Sequence, residues 1–192
     1  MTVAIIDLGY GNIGSILHAF ARLGAQTERT ADAKRILAAD RVVLPGVGAA
    51  GFAMGRIHAL GLADTIRNLT QPVIGICLGM QLLFDHSEEG DTPCLGIIAG
   101  LVRKLEPARD RPVPHMGWSR LSVPNPAADF SEGDYAYFAH SYVCDGGSHT
   151  IGSVEYGAAI PAVVARDNFT GVQFHPERSS ETGTRLLAGF LA

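Results

Sequence analysis

The sequence predicts an α/β fold: a mostly parallel central sheet with flanking helices, then a β-rich second half. Three observations carry this. Up to about residue 86, short apolar runs alternate with segments of helical period, the pattern of a parallel sheet covered by helices. Glycines mark the junctions where such a run ends and a helix begins. Beyond residue 94, strand-like runs follow one another with turns between them, and one amphipathic segment closes the chain.

Each element has a local reason. Residues 3–7 are a short apolar run that ends in a glycine turn and read as a buried strand. Ile13, Ile16, Leu17 and Phe20 recur at helical spacing, with Gly24 placed as a C-cap. Residues 25–30 form a second strand, and 33–39 a short helix behind Asp32, a good N-cap. A strand at 41–44 is closed by Pro45-Gly46. Residues 52–69 read as a helix in two pieces, with Gly55 and Gly61 as its weak points. A strand at 72–76 leads into a helix at 78–86. In the second half the expected strands are 95–105, 112–123, 135–144, 151–156, 162–167 and 169–174, with a surface loop at 124–134. The last helix, roughly 181–191, carries Leu186, Leu187, Phe190 and Leu191 on one face.

Composition narrows the function. The 192 residues fit one domain, 1–192, at roughly 100–200 residues per domain. No repeat, low-complexity tract or linker divides them. Fifteen Lys+Arg against nineteen Asp+Glu leave a net charge of −4 with no basic run, so no nucleic-acid surface is expected. The longest apolar stretch, 72–84, is broken by Gly75, Gly79 and Gln81 and falls short of the ~20 residues of a membrane span. The N-terminus lacks the charged region and cleavage site of a signal peptide, so a cytoplasmic location is expected. Cys77, Cys94 and Cys144 have neither disulfide-framework nor metal-knuckle spacing. None of the seven histidines shares HxH or HxxxH spacing, so no metal is expected. The 23 glycines, about 12% of the chain, exceed the usual ~7% and ask for an explanation.

One motif is set aside. Gly9-Tyr10-Gly11-Asn12-Ile13-Gly14 fits the dinucleotide fingerprint GxGxxG between a strand and a helix, and Asp32 stands where a ribose-binding acid could sit. A tight strand-to-helix turn needs glycine whatever it binds, and the second strand is short and polar. No cofactor is expected.

The stronger signal is Gly75-Ile76-Cys77-Leu78-Gly79 between an apolar strand and a helix. It is a nucleophile elbow with cysteine in the place of serine. The flanking glycines admit close backbone approach. The helix start favours negative charge and so the reactive thiolate, and the Leu78 N–H can donate to an oxyanion. Gln81, four residues on, points to the same side. Cys94 and Cys144 lack such surroundings and read as buried, inert thiols.

The thiol needs a proton carrier. His175 in Gly171-Val172-Gln173-Phe174-His175-Pro176-Glu177 has the best setting. In an extended chain His175 and Glu177 lie on one side. Glu177 then orients the imidazole and leaves its other nitrogen for Cys77. Pro45-Gly46-Val47-Gly48 ends another strand, and its glycines permit a backbone N–H of Val47 or Gly48 to serve as a second oxyanion donor.

Taken together, the 45–48, 75–81 and 171–177 motifs resemble those of class I, triad-type glutamine amidotransferases, in order and over essentially the whole chain. The likeness is greatest to the branch that supplies the glutaminase subunit of imidazole glycerol phosphate synthase. The pointers are residues 6–12, Pro114-His115-Met116-Gly117-Trp118, Tyr137-Phe138-Ala139-His140-Ser141-Tyr142 and Pro176-Glu177-Arg178-Ser179-Ser180. The resemblance implies glutamine as substrate and a Cys77–His175–Glu177 triad. It implies Val47, Gly48 and Leu78 as oxyanion-hole positions, and Gly46, Gln81, His140, Ser141 and Tyr142 as glutamine-binding positions. It further implies a heterodimer with a (βα)8-barrel synthase subunit in histidine biosynthesis, through Asn12, Trp118, Tyr137 and Arg178. Isolated, such a subunit is a poor glutaminase until partner and acceptor ligand complete its oxyanion hole. Two positions depart from the branch's pattern: Ser119 stands where Asn is common, and Arg178 where Lys is common. Alternatives are a glutaminase serving another synthase and a cysteine-nucleophile α/β-hydrolase. The latter places its acid between nucleophile and histidine, whereas Glu177 follows His175.

Overall fold

The computed structural model describes residues 1–11, 13–46, 48–124 and 131–192. In chain order its elements are β1 (Thr2–Ile6), α1 (Ile13–Arg22), β2 (Gln26–Thr30), α2 (Ala33–Ala38), β3 (Arg41–Leu44), α3 (Ala50–Ala59), α4 (Ala63–Arg67), β4 (Val73–Ile76) and α5 (Leu78–Gln81). Then follow β5 (His86–Ser87), β6 (Thr92–Pro93), β7 (Leu101–Lys104), β8 (His115–Ser122), β9 (Tyr135–His140), β10 (Tyr142–Cys144), β11 (Thr150–Glu155), β12 (Ala159–Arg166) and β13 (Phe169–Val172). A 3₁₀ turn at Pro176–Arg178 leads into α6 (Ser180–Leu191).

Among the described residues, nine strands form one mixed sheet in the order β2-β1-β3-β4-β13-β12-β11-β8-β9. The strands from β2 to β13 run parallel, and β12, β11, β8 and β9 extend the sheet antiparallel. A second sheet has the order β10-β7-β5-β6. The parallel strands are apolar on both sides because helices cover both faces. Val3 and Ile5 of β1 pack with Ile16 and Phe20 of α1 and Leu187 of α6. The alternate Ala4 and Ile6 pack in the opposite layer with Ile57, Leu62 and Ile66. No described helix is long and apolar enough to cross a membrane.

Several expected boundaries move, each for a tertiary reason. The helix after the elbow is one turn, not the nine residues of 78–86. The N–H groups of Leu95, Ile97 and Gly96 donate to the carbonyls of Leu82, Leu83 and Phe84, so those carbonyls are not left for further helical turns. The same bonds take 95–98 out of the expected strand, which begins at Leu101. The expected strand 135–144 divides at Ser141 between the two sheets. The 52–69 helix begins earlier, at Ala50, and breaks at Gly61, whose φ is 65°, while Gly55 stays inside α3. Asp32 accepts a hydrogen bond from the Lys34 N–H as the N-cap of α2, the capping role expected of it. Of the loop expected at 124–134, residues 125–130 lie outside the described residues. Cys94 and Cys144 are buried free thiols. Burial pushes Cys94 up to about 11 and Cys144 well above its ordinary range.

Part of the excess glycine collects where β3 meets the elbow. A Cβ on Gly79 would stand 1.9 Å from the Leu44 carbonyl oxygen, one on Gly46 2.1 Å from the Gly79 nitrogen, and one on Gly75 2.6 Å from the Gly79 oxygen. Three backbones therefore touch where side chains would separate them.

Gly79→Ala is expected to cost at least about 3 kcal/mol, since backbone, not a flexible side chain, must move. Gly55→Ala, with open space around its Cβ, should instead stabilise α3 by about 0.5–1 kcal/mol. Thermal denaturation of the two variants checks both signs.

Candidate active site

The elbow between β4 and α5 holds Cys77 at φ 54° and ψ −113°. A non-glycine residue in this region carries roughly 1–3 kcal/mol of strain. The Cys77 N–H donates to the Val172 carbonyl at 2.7 Å, so neighbouring β13 helps hold the turn. Because α5 is four residues long, its macrodipole is small. The charge opposite the thiol comes chiefly from a side chain.

That side chain is His175, which follows β13. Its N–H donates to the Tyr137 carbonyl at 2.9 Å. Its Nδ1 lies 2.9 Å from Glu177 Oε1, and since a carboxylate only accepts, Nδ1 carries the proton. Nε2 is left for Cys77. The His–Glu pair does not sit in an extended strand as expected. Pro176 opens a 3₁₀ turn there, a position that suits its fixed φ and missing N–H. The Ser179 hydroxyl ties the turn down by donating to the His175 carbonyl at 2.7 Å. Burial disfavours charge on His175, but hydrogen bonding and charge from Cys77 and Glu177 outweigh it and raise the ring to about 10. His175 is thus an imidazolium at neutral pH, a proton donor beside a sulfur nucleophile.

Cys77 and His175 open onto a cavity of about 250 Å³. Gly46, Gly48, Leu78, Gln81, His140, Ser141 and Tyr142 also line it. Leu78 opens α5, so its N–H has no acceptor within the helix. Val47, the other expected oxyanion donor, lies outside the described residues. Gln81 is nearly fully buried, and both its N–H bonds are used: Nε2 donates to the Tyr142 carbonyl at 3.0 Å and to Gln173 Oε1 at 2.9 Å. The remaining polar atom of its side chain, Oε1, can only accept. Gln173 Nε2 in turn lies 3.7 Å from Cys77 Sγ. Glu89 also lines the cavity and accepts from the Ala50 N–H at 2.7 Å. Sequence reasoning missed it, because it belongs to no motif and only the fold of the 82–98 segment brings it in.

The expected interface residues also gather. The rings of Trp118 and Tyr137 meet edge to face at 6.1 Å, and the Arg178 guanidinium stacks 4.6 Å above Tyr137. Trp118 is 52% exposed, with exposed Met116 on the same face of β8. An apolar patch with a cation thus borders the His175 turn. Asn12 lies outside the described residues.

Since folding raises His175 from 6.5 to about 10, its contribution to stability is complete below about pH 6.5 and is lost as pH rises through 10. The Tm difference between the wild-type chain and Glu177→Gln should therefore be largest near about pH 6 and narrow steadily toward about pH 10. Melting curves across that range check it.

The chain matches known proteins over nearly its whole length. The family model for "Glutamine amidotransferase class-I" matches residues 4–192. The chain is 49% identical over 193 residues to the imidazole glycerol phosphate synthase subunit HisH of Xylella fastidiosa (strain Temecula1), covering 98% of this chain and 96% of that one. It is 47% identical, with the same coverage, to the protein of the same name from Xanthomonas axonopodis pv. citri. A solved glutamine amidotransferase structure superposes with a TM-score of 0.78 at 19% identity, covering 98% of this chain and 96% of that one, which shows the shared fold. With a family match over nearly its whole length and relatives near half-identical end to end, the chain belongs to the class-I glutamine amidotransferases.

Proposed function

We propose that residues 1–192 work as one glutaminase domain, the ammonia-producing subunit of an imidazole glycerol phosphate synthase in histidine biosynthesis. The observation that carries this reading is that one cavity joins Cys77 and His175 to Gln81, Ser141 and Tyr142, directly beside the exposed Trp118–Tyr137–Arg178 cluster. The near-half identity to proteins of that name supports the choice of synthase.

The chemistry follows from the placement. The Cys77 thiolate attacks the side-chain carboxamide carbon of glutamine. The oxyanion is met by the Leu78 N–H and an N–H of Val47 or Gly48. As the intermediate collapses, the C–N bond breaks and imidazolium His175 gives its Nε2 proton to the leaving nitrogen, which departs as ammonia. A γ-glutamyl thioester stays on Cys77. Water then attacks the thioester carbon and passes a proton to His175. The C–S bond breaks, and glutamate leaves with thiolate and imidazolium restored. Glu177 holds Nδ1–H throughout and so fixes which nitrogen moves protons. The Gln81 oxygen, an acceptor, and the Glu89 carboxylate suit the substrate's α-ammonium.

Ammonia released into water is protonated and lost as a nucleophile, so its use requires a docked acceptor enzyme. The Trp118–Tyr137–Arg178 cluster suits such a partner, a barrel-fold synthase subunit. Aromatic residues and arginine are the side chains that most often anchor interfaces. The whole assembly is cytoplasmic in this reading.

In the complex, Cys77→Ala should abolish glutamine-dependent synthesis and leave synthesis from added ammonium salt intact. Loss of both would refute the nucleophile. Trp118→Ala should weaken binding of the synthase subunit by about tenfold or more without lowering Tm, and titration calorimetry decides it. An unchanged Kd and unchanged coupling would remove Trp118 from the interface.

A further inference from the structure

Two buried histidines take no part in the chemistry above. His115 (3% exposed) and His140 (5%) sit opposite each other on β8 and β9. His115 Nδ1 lies 3.0 Å from His140 Nε2, His140 Nδ1 2.9 Å from the Tyr142 carbonyl oxygen, and His115 Nε2 2.8 Å from Ser119 Oγ. The His115 ring is stacked between Tyr156 and Phe138, with centroids at 4.0 and 4.8 Å.

The direction of every bond in this chain is forced. The Tyr142 carbonyl can only accept, so His140 Nδ1 carries a proton. Burial holds His140 down to about 4 and lowers His115 as well, so both rings are neutral and each has one N–H. His140 Nε2 must then accept, His115 Nδ1 must donate to it, and His115 Nε2 must accept from the Ser119 hydroxyl. The Tyr142 carbonyl also accepts from Gln81, whose second N–H goes to Gln173, whose own N–H faces the Cys77 sulfur. Ser119 thus begins a continuous row of polar contacts that ends at Cys77.

Ser119 is unusually placed to do so. Residues four apart on a strand have Cα atoms about 13 Å apart, yet the side chains of Ser119 and His115 touch. Gly117 between them has φ 136°, a conformation that side-chain-bearing residues rarely adopt. Ser119 is also the chain neighbour of exposed Trp118.

We propose that Ser119, His115 and His140 are positioning residues: a one-way hydrogen-bond relay that sets the Tyr142 carbonyl and, through it, the Gln81 amide in the substrate cavity. The relay rests on the reading of that cavity as the glutamine site. His140 shapes the cavity but spends both ring nitrogens within the relay, so it acts on substrate through Gln81. Loss of the Ser119 donor leaves a buried acceptor unpaired on His115, and the slack passes to Gln81.

The test uses the full-length chain. ¹⁵N NMR of the imidazoles should show both His115 and His140 protonated at Nδ1, whether or not the chain turns over glutamine; protonation at Nε2 of either would overturn the relay. Ser119→Ala should shift the His140 ring resonances, although Ser119 does not touch His140. It should raise KM for glutamine about fivefold, as expected for one lost hydrogen bond, with kcat changed less than about twofold. Ser119→Thr, which keeps the hydroxyl, should restore KM. Unmoved His140 resonances or an unchanged KM in Ser119→Ala would overturn the positioning role while the glutaminase reading stands. A wild-type chain that releases no glutamate, alone or with its synthase subunit, would overturn the glutaminase reading and the positioning role with it.

Discussion

The site depends on a contact in which no side chain takes part. The carbonyl of Leu44, at the end of β3, presses on Gly79 just past the elbow, and Gly46 lies against the same residue. A Cβ at any of Gly46, Gly75 or Gly79 would push these backbones apart. Without that approach the 45–48 loop could not border the cavity that Cys77 opens onto, and a second oxyanion donor would have no route to the sulfur. The strained φ of Cys77 is held by the same junction from one side and by the Val172 carbonyl from the other. Strand pairing of β3 and β13 on either side of β4 therefore acts directly on the proposed nucleophile.

Charge is arranged in a second layer around this frame. His175 is buried, which alone would keep it neutral, yet Cys77 and Glu177 make it an imidazolium. His140, which lines the same cavity, has no such partners and stays neutral. Two imidazoles in one pocket are thereby driven apart, one toward proton donation and the other toward fixed hydrogen bonding. Environment, not residue type, makes the distinction.

The backbone also links the proposed base to the exposed cluster. His175 N–H bonds the Tyr137 carbonyl, Tyr137 N–H bonds Ser179 Oγ, and that hydroxyl bonds back to the His175 carbonyl. Arg178, in the same turn, stacks on Tyr137. A partner that shifts the aromatic cluster would pull on the His175 turn through three short bonds.

Local chemistry made the α/β alternation, the elbow, the His175–Glu177 pair and the Asp32 cap legible in the sequence, because each is decided within a few residues. Glycine flanks, apolar runs and capping side chains act over one turn of chain. Long-range bonds decided the rest. The helix after Cys77 stops because loop 95–98 takes its carbonyls, and strand 135–144 divides at Ser141 because two sheets claim its halves. Gln81 presents an acceptor, not a donor, because Tyr142 and Gln173, 61 and 92 residues away in sequence, use both its N–H groups. Glu89 reaches the cavity, and the Ser119 hydroxyl meets the His115 ring, through placements that no periodicity encodes. The sequence alone determined which residues carry the proposed chemistry. Only the tertiary structure decided which of their polar atoms remain free to use it, since hydrogen bonds are satisfied in space and not along the chain.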